Sequence, residues 1–145
     1  MSGDQENATE QTVYQSQQLL DCLTTHPCTT IRYYASDIIL NIHSDASYLS
    51  EERARSRTAG HIFLGSVPRK YEPIPFNGAI YVHSGILKFV VTSAAEEELG
   101  GLFLNTKEGK ILRTILKELR YVQPPTPIHC DNLTEVGIAN DTVKN

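Results

Sequence analysis

The chain has no surplus of positive charge: 13 Lys and Arg stand against 17 Asp and Glu, a formal net charge of -4. That balance excludes a broadly cationic nucleic-acid binder, whose affinity would rest on neutralising phosphates, although a local basic patch is compatible with it. Met1 to Gln11 contains no apolar segment, so this stretch is neither a secretory signal nor a transmembrane start. An intracellular protein of the cytoplasm or nucleus, with no membrane partner, is expected. Cysteine is scarce. Cys22, Cys28 and Cys130 are odd in number and unmatched in spacing, which in a reducing compartment predicts no disulfide. Cys22, His26 and Cys28 lack the second pair of ligands that structural zinc sites use, and they read as buried or loop residues. Internal repeats are absent.

What is present fits an ordinary globular domain: 145 residues, 40% hydrophobic and 21% charged, enough for one core. Residues 1–11 read as a flexible tail, too polar to offset the entropy of ordering. From Thr12 to Thr25 the positions Val13, Leu19, Leu20 and Leu23 fall mostly on one helical face, and His26 and Pro27 close the helix. Ile31 to Ser44 suggests two strands joined by a tight turn at Ser36 and Asp37, the second running over 38–42 into Asp45. A polar, Arg-rich loop, Ser50 to Thr58, precedes a strand at Gly60 to Gly65. Val67 to Asn77, with three prolines, is a loop, and Ala79 to Val82 and Ile86 to Val91 are strand-like with a bend near Gly85. The four histidines 43, 61, 83 and 129 show no metal-ligand spacing and read as strand residues.

Ser93 followed by Glu96 is a capping box that opens a long helix. Leu99, Leu102 and Phe103, then Leu112, Ile115, Leu116 and Leu119, mark its buried stripe. Gly100 and Gly101 suit close packing on a sheet, and Gly109 marks a candidate break. Gln123 to Pro127 is a linker into a short strand at Pro127 to Cys130, with a further helix over Asn132 to Asn140. The order predicts an α/β fold in which a meander precedes a helix-strand-helix unit.

Three acids occupy useful positions in that scheme. Asp45 lies just past the most hydrophobic strand, Glu98 lies early in the long helix, and Asp131 ends the last strand, where rigid backbone can deliver carboxylates to a shared cleft. Of the run Glu96, Glu97 and Glu98, the stripe turns Glu97 away from the core and leaves Glu96 and Glu98 flanking it. The cap gives Glu96 a local role, so Glu98 is the better ligand. Each acid also has a plain reading: a turn residue, a charge favoured by the helix dipole, and an N-cap.

The ordered segments HSDASYLSE after Ile42, RSRTAGHIFLG (55–65), NGAI (77–80), SAAEEELGGLF (93–103) and CDN (130–132) resemble the ribonuclease H region of Ty1/copia-type retrotransposon polyproteins. The resemblance runs from about Leu19 onward. It implies a ribonuclease H-like fold with a mixed sheet over residues 37–145, with residues 12–36 as the helix and connection from the reverse transcriptase. It further implies metal-dependent hydrolysis of the RNA strand of an RNA–DNA hybrid. Asp45, Glu98 and Asp131 would be the catalytic metal ligands, and two Mg²⁺ or Mn²⁺ ions the cofactor. Arg53, Arg55 and Arg57 alternate along the loop after the first acid and are candidate phosphate contacts. Partners would be the hybrid and the reverse transcriptase portion of the same polyprotein. The chain departs from the family in carrying Glu97 where Ala is usual, expected to be exposed and tolerated. The family's fourth acid, last strand and last helix would fall beyond Asn145, which is expected to weaken metal binding. The alternative is a non-catalytic remnant or a nucleic-acid or protein binding module.

Overall fold

A computed structural model of the chain describes residues 8–51, 54–67, 75–131, 137 and 140. Two compact units divide it, Met1–Arg32 and Tyr33–Asn145. The first is built on helix α1, Glu10–Thr25. Thr9 caps it: the Thr12 amide donates to Thr9 Oγ1 at 3.3 Å and the Thr9 amide to Thr12 Oγ1 at 3.2 Å, a reciprocal box that starts the helix two residues earlier than periodicity indicates. Val13, Leu19, Leu20 and Leu23 are all exposed.

The second unit holds strands β1 (Ile39–Glu51), β2 (Arg55–Gly65) and β3 (Ala79–Ile86), helix α2 (Ala94–Glu118) and strand β4 (Ile128–His129). It is an α/β structure whose four-stranded mixed sheet has the order β3-β2-β1-β4. β1 is antiparallel to β2, β2 to β3, and β4 runs parallel to β1. The two-strand expectation for 31–44 is wrong in its first half. Residues 31–38 make no ladder because their polar groups go elsewhere: the Tyr34 amide donates to Asn77 Oδ1 at 2.8 Å, Asn77 Nδ2 to the Tyr34 carbonyl at 3.0 Å, and Tyr33 Oη to the Ala79 carbonyl at 3.0 Å. Ile38, at φ 57, turns the chain into β1.

β1 also runs past Asp45, because β2 begins at Arg55 and offers partners as far as Ser47↔Arg57 and Glu51↔Arg55. The expected Arg-rich loop is therefore largely strand, with Arg53 outside the described residues. β3 is one strand through Gly85, and the Leu87 amide still reaches the Ser56 carbonyl at 2.9 Å. The helix expected over 132–140 lies outside the described residues apart from Gly137 and Asn140.

α2 is continuous through Gly109, and its buried face keeps Leu116 of the expected apolar stripe, with Leu112 packed on the core, but otherwise differs from it. Phe103 is 60% exposed, and Ile115 and Leu119 are also exposed; the buried positions are Glu97, Gly100, Gly101, Asn105, Gly109 and Leu116. Four helical residues rise about 6 Å and two strand residues about 6.6 Å, so a helix laid along a strand can meet every second strand residue with every fourth of its own. That is the arrangement here. Cβ atoms built on Gly109 and Gly101 would lie 2.3 Å from Ile42 Cδ1 and 3.4 Å from Ala46 Cβ, and Asn105 Nδ2 donates to Ser44 Oγ at 2.9 Å. Small residues let the backbones approach. Leu40, Ile42, Ile62 and Leu116 form the core beneath, with Leu112, Tyr81 and Ile128 packed on it. Burial of each large side chain contributes roughly 1.5–3 kcal/mol.

The proline-rich segment before β4 is pinned rather than free. Gln123 Oε1 accepts from the Leu40 amide at 3.0 Å and its Nε2 donates to the Ile38 carbonyl at 2.8 Å, extending the edge of β1 by a side chain. The Arg113 guanidinium donates to the carbonyls of Gln123 (2.6 Å) and Pro124 and to Thr126 Oγ1 (2.9 Å), which holds the approach to β4 against α2.

A Cβ on Gly60 would meet Asn105 Oδ1 at 2.0 Å. Asn105 also bridges Ser44 and the Ala59 carbonyl. Gly60→Ala should therefore lower the urea-unfolding free energy by about 1–3 kcal/mol. The double variant with Asn105→Ala should lose less than the sum of the two single losses.

Candidate metal centre

Alternation along β1 turns Ile42, Ser44 and Ala46 to α2 and leaves His43 and Asp45 on the opposite face. In the parallel pair, Ile42 faces Ile128 and His43 faces His129. Two residues beyond the second pair lie Asp45 on one chain segment and Asp131 on the other, so one register delivers both carboxylates to the same level. Glu98 comes from α2. Gly101, one turn further along, sits so close to β1 that an added Cβ would be 3.6 Å from the Asp45 carbonyl oxygen, and this seating brings the first turns of the helix to Asp45.

The outcome is a cluster in which one carboxylate oxygen each from Asp45, Glu98 and Asp131 lies within 4.8 Å of the other two. Asp45 and Asp131 are exposed and Glu98 is half-buried. Among the described residues no other group of three His, Cys, Asp or Glu side chains brings its donors so close, and no Lys or Arg pairs with Asp45 or Asp131. Carboxylates converging on one point repel one another, and a divalent cation among them would relieve that repulsion. Hard oxygen donors fit Mg²⁺ or Mn²⁺. Asp45 is mid-strand rather than at a strand end, and Asp131 lies two residues past the end of β4.

No protein-family model matches the chain, and no curated protein is significantly similar to it. The chemistry of the cluster must be read from its own residues.

Asp45 and Asp131 line a cleft of about 600 Å³ whose floor includes His43, His61 and His129. These histidines are the first feature that sequence reasoning missed. His43 and His129 stack with ring centroids 4.7 Å apart, and His43 packs against Phe76 at 4.5 Å and Phe63 at 5.6 Å. Burial, and then the neighbouring His129 and His61, hold the His43 pKa below its ordinary value. A signal was available: His-x-Asp occurs twice, at 43–45 and 129–131, and parallel pairing lays one copy beside the other.

The arginines are placed differently from the expectation. Arg57 lies on β2, ion-paired with Glu51 across the β1–β2 ladder and bonded to Ser84 Oγ at 3.2 Å, which ties its guanidinium to the sheet. Arg55 is exposed at the start of the same strand. Arg53 lies outside the described residues.

The acidic run resolves in an unexpected way. Glu96 caps the helix start: Glu96 Oε2 accepts from the Thr92 amide and hydroxyl, both at 2.7 Å, while its own amide donates to Ser93 Oγ at 3.2 Å. Those bonds to Thr92 lower its pKa. Glu97, expected to be exposed, is 1% exposed. It begins the stripe that continues through Gly101, Asn105 and Gly109, and the expectation failed because it took the apolar residues of α2 as the buried face. Its Oε1 is buried with no hydrogen-bond partner. Burial raises the Glu97 pKa above its ordinary value of 4.5; the Ser47 amide opposes that rise and the Asp45 carboxylate adds to it.

With a raised folded-state pKa, the unfolded chain gives up the Glu97 proton first. Glu97 therefore lowers stability progressively as pH climbs above 4.5 and through the raised value. Urea unfolding across that range should show a flatter pH dependence for Glu97→Gln than for wild type, with the variant the more stable near neutral pH.

Proposed function

We propose that residues 33–145 form a metal-dependent nuclease with a ribonuclease H-like fold. It is similar to the ribonuclease H region of Ty1/copia retrotransposon polyproteins and hydrolyses the RNA strand of RNA–DNA hybrids beside a reverse transcriptase. The observation that carries this reading is the convergence of Asp45, Glu98 and Asp131 from a strand, a helix and the segment just past a second strand. The mixed sheet, with β4 parallel to β1, and the open cleft beside the acids add support.

Asp45, Glu98 and Asp131 would hold divalent cations, which when bound would supply activation of a water and stabilisation of the leaving oxygen of a phosphodiester. The chain's part is to hold them. Asp45 is fixed by ladder pairing on β1, so it needs no ordering when substrate arrives. Glu98 adds a third carboxylate from a helix that Gly101 clamps to the sheet. None of the three is required as a nucleophile. Arg55 and Arg57, both on β2, are the described candidates for contact with a backbone phosphate, and Arg57 would first have to leave Glu51.

The full chain with Mg²⁺ or Mn²⁺ should cut the RNA strand of a labelled hybrid, and chelation by EDTA should abolish cutting. Asp45→Asn, Glu98→Gln and Asp131→Asn should each reduce the rate by about 100-fold or more, equivalent to roughly 2.7 kcal/mol of barrier. Wild type and Asp45→Asn equally inert, with both folded, would sink the nuclease reading and leave a binding module.

A further inference from the structure

Positive charge is unevenly spread along this acidic chain. Five of its 13 Lys and Arg residues fall within 107–120, against a formal net charge of -4. Lys110, Arg113, Lys117 and Arg120 recur at steps of three and four residues, which gathers them within an arc of about 80° on one flank of α2 and just past its end. Glu108 and Glu118 fall outside that arc. The segment 121–131 runs beside the same flank. α2 is antiparallel to β1, since Gly109 meets Ile42 while Gly101 meets Ala46 and the Asp45 carbonyl, and β4 is parallel to β1. The Arg113 guanidinium holds the segment at the Gln123 and Pro124 carbonyls, and the segment ends at Asp131 in the cluster with Glu98. From Arg113 back to Glu98 the helix rises about 22 Å, and from Pro124 to Asp131 an extended chain covers about 23 Å. The two walls of this seam match in length.

Two hollows lie along the seam. One, of about 490 Å³, is lined by Lys117, Arg120 and residues 121–123, and the other, of about 350 Å³, includes Lys110, Arg113, Pro125 and Thr126 in its walls. No Asp or Glu lines either one. Lys110, Lys117 and Arg120 are exposed, and among the described residues none of them has an acidic partner. Cations gathered without acids between them favour a polyanion. We propose that the seam between α2 and residues 121–131 is a track for a nucleic-acid backbone, in which Lys110, Lys117 and Arg120 neutralise phosphates of a strand that leads to the carboxylate cluster. The choice of nucleic acid rests on the nuclease reading. Continuity supports it: the walls that carry the cations at one end carry Glu98 and Asp131 at the other. An acidic site repels phosphate on its own, so a strand brought there gains from an anchor away from the cut. Lys110 lies about 18 Å along the helix from Glu98 and Lys117 about 28 Å, which roughly five to eight nucleotides of a duplex strand would cover at 3.4 Å each. The exposed Tyr121 and Val122 beside Arg120 make an anionic lipid surface the competing partner.

Binding of a labelled RNA–DNA hybrid to the full chain in EDTA, followed by fluorescence anisotropy over a salt series, tests the track without any cutting. Wild-type affinity should fall with salt, each neutralised phosphate adding about 0.9 to the logarithmic slope. Lys110→Ala with Lys117→Ala should flatten that slope by about 2 and weaken binding about 10-fold at low salt. Arg32→Ala with Lys88→Ala removes the same charge from exposed positions elsewhere and should leave the slope unchanged. No hybrid binding by wild type, no flattening by the first pair, or equal flattening by both pairs overturns the proposal. So does a first pair that still binds hybrid like wild type but loses binding to phosphatidylserine vesicles. Asp45→Asn separates the two levels. If it abolishes cutting while the lysine pair binds like wild type, only the track is wrong. If it cuts like wild type, the nuclease site is wrong, and the salt slopes alone decide the track.

Discussion

The close seating of α2 along β1 is the constraint on which the rest of the second unit depends. A helix rests on a sheet at a distance set by the side chains between them, and here those side chains have been reduced to hydrogen atoms at Gly101 and Gly109 and to one amide at Asn105. The short spacing fixes the translation of the helix as well as its depth, since the helical repeat of four residues keeps step with the strand repeat of two. A helix free to slide by one turn would carry Glu98 about 5.4 Å along the helix axis from its place beside Asp45. Asn105 resists such sliding by bonding to β1 through Ser44 and to β2 through the Ala59 carbonyl at once.

This is also why the sequence was only partly legible. Hydropathy finds faces that are buried because they are greasy, and the face of α2 that matters is buried because it is small. Phe103, Ile115 and Leu119 set the apparent stripe and lie on the exposed side, whereas the glycines and Asn105 carry no hydrophobic signal. The same misjudgement placed Glu97 outside. Strand ends were misread for a related reason: Ser44 to Glu51 is polar, yet it continues as strand because β2 supplies hydrogen-bond partners, and pairing is not a property of one segment. Conversely, 31–38 has a strand's composition, but a single asparagine, Asn77, takes up backbone groups of Tyr34 that a ladder would have used.

The three acids were legible for a different reason. Motif order selected them, and the fold brings them together although the expected position of Asp45 at a strand end was wrong. The histidines beside them were passed over because they were examined for metal spacing along the chain, whereas their relation is lateral: His43 and His129 meet only once β4 lies parallel to β1. The two faces of β1 thus divide the work. One carries the contacts that lock the helix, and the other carries a cluster of imidazole and phenyl rings, of which only Phe63 is buried, with carboxylates at its rim.

The parallel pairing of β4 has a consequence for the order of assembly. β1, β2 and β3 can zip together as consecutive antiparallel neighbours, but His43 meets His129 only after a loop spanning more than half the chain has closed. Contacts of such long sequence separation form slowly, because the entropy of closure is spent before any bond repays it. Asp131 reaches the other two carboxylates only through that long-range pairing, so the three acids share one place only when β4 is seated on β1.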